Sequence, residues 1–236
     1  MSFLSRFFGP RSGAPAPKDV EAELRKLETE AENARPGYVG SAYNRAGDLA
    51  LRDQQTDRAL AAYGRAIDAF LEDAQREAAR GVANKIIRVR PSAVRTLCTL
   101  TWLDLAARHQ ATALLHLRDY ASAAQDAGQQ TRAATQIYKM ARLADAAEFL
   151  DAAADALDSL NFGNRAKEVR SWVKAGAPEA IHGEDELAEA CRLAAVSSNE
   201  PNAKMLDDDV DVPAEGEDET GGDGLKGRNK KKKKKR

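Results

Sequence analysis

The sequence predicts an all-α protein built as an array of antiparallel helix hairpins, with an irregular helical bundle as the alternative and disordered termini. Three observations predict this. Alanine, the strongest helix former, occurs 46 times in 236 residues, whereas aromatic residues make up 6%. Pro91 is the single proline between Gly37 and Ala177, and proline breaks the helical hydrogen-bond ladder, so its scarcity over such a length suits packed helices. Apolar residues recur at helical spacing along the same stretch. An apolar share of 43% supplies a core without disulfides or metal.

The elements follow in order. Residues 1–18 form a flexible lead-in, because Gly9, Pro10, Gly13, Pro15 and Pro17 crowd it. A first helix is expected from Asp19 to Arg35: Val20, Leu24, Leu27 and Ala31 share one face, with Asp19 as cap and Pro36 as stop. Residues 19–177 are read as the folded domain. Breaks are expected at Asp53–Thr56, near Asp73, at Arg90-Pro91, at Arg108–Gln110, near Asp119-Tyr120, at Leu143–Asp145 and at Asn161–Gly163. The last helix of that domain carries Phe162, Ala166, Val169 and Val173 on one stripe and ends before Gly176 and Pro178. Residues 178–206 read as a linker with one short amphipathic helix, Glu184 to Val196, on which Leu187, Cys191 and Ala194 align.

Charge is distributed unevenly. The net charge of -1 excludes a uniformly basic nucleic-acid binder, yet residues 207–223 hold nine acids and residues 226–236 hold nine bases. Blocks of like charge repel themselves, so 207–236 is expected to be a disordered acidic, then poly-lysine, tail. Cys98 and Cys191 stand alone, without a paired spacing, which places the chain in a reducing interior. No apolar run is long enough to span a bilayer. The expected location is the cytoplasm, with peripheral contact to a membrane as an extension of that reading.

Residues 42–68 read AYNRAGDLALRDQQTDRALAAYGRAID. Gly47, Ala59, Tyr63 and Ala66 are spaced 12, 4 and 3 residues apart, with Tyr43 and Ala46 just before the glycine. This segment resembles the tetratricopeptide repeat family, whose unit of about 34 residues places small residues where two helices approach closely. Ala79, Ala113 and Ala147 recur at a matching step, and Leu51-Arg52-Asp53 returns as Leu117-Arg118-Asp119. Ala50 departs from the family's tyrosine and Leu71 from its proline. The resemblance implies a concave groove lined by the first helix of each unit, here through Ser41, Asn44, Asp48 and Arg52, which would hydrogen-bond a partner's peptide. Asp48 stands where units that clamp a C-terminal carboxylate carry asparagine.

The chemistry of an enzyme is not visible. Gly222-Asp-Gly224-Leu-Lys-Gly227 matches a dinucleotide fingerprint in letters alone, since it lies in the charged tail with neither strand nor helix around it. His109 and His116 are seven residues apart, whereas helical metal pairs sit three or four apart, so both are read as surface or groove residues. His182 is read as a linker residue. Cys98 and Cys191 are read as small buried residues, and Trp102 and Trp172 as packing residues. No cofactor and no metal are expected.

Two further binding signals stand out. Lys230, Lys231, Lys232, Lys233, Lys234, Lys235 and Arg236 form a run that can hold nucleic acid, ribosome or anionic membrane weakly through counterion release. Phe3, Leu4, Phe7 and Phe8 form an apolar edge if helical. The sequence therefore points to a non-enzymatic adaptor for an unidentified protein partner, with a polyanion-associated factor acting through the lysine tail as the alternative. It leaves the oligomeric state open.

Overall fold

The computed structural model describes residues 17–198. They fold into ten α-helices: α1 (Pro17–Glu32), α2 (Val39–Arg52), α3 (Thr56–Glu72), α4 (Arg76–Val89), α5 (Val94–Ala106), α6 (Gln110–Asp126), α7 (Gln130–Leu143), α8 (Ala147–Ser159), α9 (Gly163–Ala175) and α10 (Glu184–Ser198). Among the described residues there is no strand, and no helix is long and apolar enough to cross a membrane. The architecture is an all-α helical array of antiparallel hairpins. The predicted lysine run, acidic block, glycine triplet and N-terminal aromatic edge lie outside the described residues.

The first helix starts two residues earlier than expected. Pro17 opens it, since a proline at the first helical position loses no hydrogen bond there, and Asp19 lies inside the first turn rather than capping it. Val20, Leu24 and Ala31 are buried. Arg58 of α3 clips α1 down through Glu21 at 2.7 Å and Glu28 at 2.9 Å.

The connections follow a rule. After α2, α3, α5, α6 and α8 the chain makes the same three-residue turn, with Gln54, Ala74, Arg108, Gly128 and Asn161 in the left-handed region at φ between 53° and 70°. Each turn closes with a backbone bond from the next residue back across the helix end, such as Gln55 N to Ala50 O at 2.9 Å and His109 N to Asp104 O at 2.9 Å. The connection from α4 to α5 is instead a turn through Pro91 and Ser92 closed by Ala93 N on Arg90 O at 3.1 Å, and that from α7 to α8 is extended at Ala144 and Ala146. Gln54 to Arg108 is a step of 54 residues, Arg108 to Asn161 of 53, and Ala74 to Gly128 of 54. The structural period is therefore three helices: α2–α4, α5–α7, then α8–α9.

This period corrects one expected break and adds another. Asp119-Tyr120 does not interrupt the chain; Tyr120 is buried in the middle of α6, and the helix runs to Asp126. The real break is Ala127-Gly128-Gln129, where Gly128 supplies the left-handed residue without steric cost. Phe162 also differs, standing before α9 as its capping residue.

Packing is closest in the hairpins α2/α3, α5/α6 and α8/α9. In the first, α2 presents two glycines seven residues apart to α3. A Cβ on Gly40 would come within 2.6 Å of the Phe70 ring, and one on Gly47 within 2.5 Å of the Tyr63 ring. The glycines let two aromatic rings press against the α2 backbone, an approach any larger residue forbids. Helix α5 is the centre of the body: every residue from Thr96 to Ala106 is buried, as a helix apolar on all sides must be.

Helix α10 belongs to this body, so the boundary expected at residue 177 is too early. The segment after α9 returns along the end of α7, where Glu179 N and Ile181 N donate to Arg142 O and Leu143 O at 3.1 Å each. Arg108 holds it with Nη2 on His182 O at 2.8 Å and Nη1 on Asp145 at 2.8 Å. α10 then buries Leu187, Ala188, Cys191 and Ala195 and packs chiefly on α5, touching α3 as well. Arg192 reaches Leu71 O at 3.1 Å.

Candidate functional site

Of the six residues read as repeat packing, Ala46, Gly47, Ala59, Tyr63 and Ala66 are buried, and Tyr43 is half-buried beneath the Arg65 guanidinium. The four expected groove positions all fall on α2, one turn apart from the next. Ser41 and Arg52 are exposed, and Asn44 and Asp48 are half-buried. The structure brings the middle two together through a residue that sequence reasoning missed. Lys85 of α4 donates from Nζ to Asn44 Oδ1 at 2.9 Å and to Asp48 Oδ1 at 2.6 Å, and its charge lies 5.4 Å above the Tyr63 ring. The Tyr63 hydroxyl donates to the same Asp48 oxygen at 2.7 Å. Burial and the Asp48 charge both raise the Tyr63 pKa above its ordinary value, so the phenol keeps its proton and remains a donor.

This network is open on one side. The Lys85 side chain keeps 33% of its exposure and Asp48 keeps 44%, so an incoming carboxylate or carbonyl can compete for the ammonium. The cation is thus delivered to α2 by the third helix of the same module, 41 residues from Asn44. Its only trace in the sequence is the isolated basic residue between the apolar positions of α4.

A second cluster is closed. Asp104 on α5 is 1% exposed. His116 Nδ1 donates to its Oδ2 at 2.7 Å, Arg80 Nη1 donates to Oδ1 at 3.3 Å, and His109 Nδ1 stands 3.7 Å from Oδ1. Burial works against the Arg80 charge, but Glu77 and Asp104 outweigh it and hold the pKa above its ordinary value. The turn after α5 carries His109 to the edge of this cluster, and α6 sets His116 directly on Asp104. A single acid in the apolar run Leu97–Leu105 was the available signal, since a buried charge must find partners.

The cluster joins α4, α5 and α6 at one point. It is not arranged for a metal, because the Arg80 guanidinium already supplies the cation and, among the described residues, no group of three His, Cys, Asp or Glu has metal-holding geometry. Glu77, Ala78, Leu103 and Ala107 line an adjacent hollow of about 350 Å³ that Asp104 does not reach.

The remaining expected residues divide cleanly. Trp102 is fully buried and donates to Gln136 Oε1 at 3.2 Å, whereas Trp172 is half-buried against Tyr138 at 5.5 Å. Both cysteines are buried. Burial pushes the Cys191 thiol up to about 12, which removes it as a nucleophile in the folded protein. His182 faces Asp145 at 3.4 Å across the segment that leads into α10. Asp151 and Asp155 are exposed, and Asp155 pairs with Arg170 at 2.9 Å.

No family model, no curated protein and no solved structure matches the chain.

Proposed function

We propose that the protein is a non-enzymatic adaptor that receives an extended segment of a protein partner on the α2/α4 face. The observation that carries this reading is the half-exposed Asn44–Lys85–Asp48 bridge, a charged and hydrogen-bonding centre presented by two neighbouring helices instead of being closed inside the body. Exposed Ser41 and Arg52 extend it along α2. A peptide backbone carries donors and acceptors at regular spacing, and a row of such side chains on a rigid helix can match them without first ordering a loop. The tetratricopeptide resemblance supports this use of the first helix of a hairpin, although the 54-residue recurrence of the turns gives the array a longer period.

Cross-linking from position 41 tests the reading. A photoreactive side chain placed at Ser41 in the full chain should capture a defined protein from native lysate at high salt. Lys85→Ala and Asn44→Ala should reduce that capture about tenfold while helicity stays unchanged. Capture that is insensitive to both substitutions would remove the α2/α4 face from the function. The alternative, a polyanion-associated factor, draws on the Lys230–Arg236 run in the sequence.

A further inference from the structure

Helices α7 and α9 carry an excess of positive charge that the rest of the body offsets only in part, through Arg142 on Glu179 and Arg170 on Asp155 and Asp158 of α8. Together they hold seven Lys or Arg and one acid, Glu168, whereas α8 between them in sequence holds four acids and no base. Helix α4 is also basic, but Arg80 and Lys85 are committed to Asp104, Glu77 and Asp48. On α7 and α9 the most organised cation has no such commitment. Arg165 lies 5.5 Å from the Tyr138 ring and 5.5 Å from the Phe162 ring, and its one hydrogen bond is from Nη1 to Thr135 Oγ1 at 3.5 Å.

A guanidinium within 5.5 Å of two ring centroids is restrained by both, and one of its five N–H donors is engaged by Thr135. The same rings form a half-exposed aromatic cluster. Tyr138 packs on Trp172 with ring centroids 5.5 Å apart and planes tilted by 51°, and Arg142 lies 6.0 Å from the Tyr138 centroid. Burial and the neighbouring Glu168 carboxylate push the Tyr138 phenol up to about 12. Lys139 and Lys174 are exposed on the same two helices.

We propose that the α7/α9 face is a binding surface for single-stranded nucleic acid, with Arg165 as its phosphate anchor and the Tyr138–Trp172 pair as its base-stacking element. Positive charge alone would suit any polyanion. The interleaving of cations with half-exposed rings selects a ligand that alternates phosphates with unpaired planar bases. A duplex hides those bases in its own stack. This surface shares no residue with the α2/α4 face or the lysine run, so it stands or falls independently of the adaptor reading.

The test uses the full chain in two forms, native and with Lys230 to Lys235 and Arg236 all replaced by Gln, so that tail binding is subtracted. The probe is a fluorescent oligouridylate of about 20 nucleotides, with its duplex and poly-glutamate as competitors. Binding should persist without the tail lysines and fall about tenfold with Arg165→Ala. Arg165→Lys should recover part of it, because charge returns without the planar fork.

Trp172 is one of two tryptophans and the other, Trp102, is fully buried, so stacking should quench the emission of Trp172 alone, an effect abolished in Trp172→Leu. Thermal melts establish that each variant is folded. Loss of all binding with the tail lysines, equal competition by duplex or poly-glutamate, or binding that leaves Trp172 emission unchanged would each overturn the proposal.

Discussion

The modules α2–α4 and α5–α7 share their turns and helix order but solve the packing problem in opposite ways. In the first, backbones come close: Gly40 and Gly47 admit the rings of Phe70 and Tyr63, and the polar residues stay at the rim around Lys85. In the second, α5 is surrounded on all sides and carries its polar groups inward, with Trp102 donating to Gln136 and Asp104 gathering Arg80 and His116. One step of 54 residues along from Gly47 stands Thr101, whose hydroxyl donates to Leu97 O at 2.9 Å. The difference teaches that the repeat resides in the turns, where backbone geometry is conserved between modules, and not in the alanine pattern on the helix faces.

The contrast can be broken most forcefully at the buried charge. Arg80→Met leaves Asp104 with His116 as its main partner, and it should cost roughly 3 kcal/mol because an under-compensated buried carboxylate is expensive. Urea unfolding reads the loss directly, and a midpoint equal to that of the unaltered protein would show that the second module does not depend on its inner charge. Next in size comes Gly47→Leu, expected to cost about 2 kcal/mol by driving Tyr63 away from α2. If that variant unfolds at the same urea concentration as the parent, close approach is not what holds the first module.

The smallest effect has the opposite sign. A Cβ on Gly64 or Gly81 meets nothing within 4 Å, so Gly64→Ala and Gly81→Ala should each stabilise by about 0.5 to 1 kcal/mol through helix propensity alone. Destabilisation at either site, measured by calorimetry, would show that the close-approach rule extends beyond α2.

The all-helical class and most helix ends were legible because they depend on local signals: proline placement, apolar spacing and turn residues. Gly47, Ala59, Tyr63 and Ala66 were legible because small-against-large pairs leave a spacing that survives in one strand of text. Gly40 carried the same message seven residues earlier, without a neighbouring pattern to mark it. The left-handed residues Gln54, Ala74, Arg108 and Asn161 were invisible as a set, since four different side chains occupy one backbone conformation. With them went the 54-residue period and the break at Gly128.

The candidate sites were harder still to read. Lys85, Asp104 and Arg165 acquire meaning from residues on other helices, 41 positions away for Lys85 and Asn44. Periodicity within a single helix cannot report such a meeting. Docking of α10 was missed for a similar reason: its short amphipathic stripe was recognised, but the pinning of its approach by Arg108 joins residues 74 positions apart.

That docking also sets an order of events in time. The contact between Arg192 and Leu71 spans 121 residues, whereas the modules close mostly between neighbours, and local closures form first in a folding chain. During synthesis α5 is complete at Ala106, yet the Cys191 that helps cover it arrives 85 residues later, an interval of roughly 4 to 17 seconds at cellular elongation rates. For that interval the nascent chain holds its most water-averse helix without the cover that α10 later supplies.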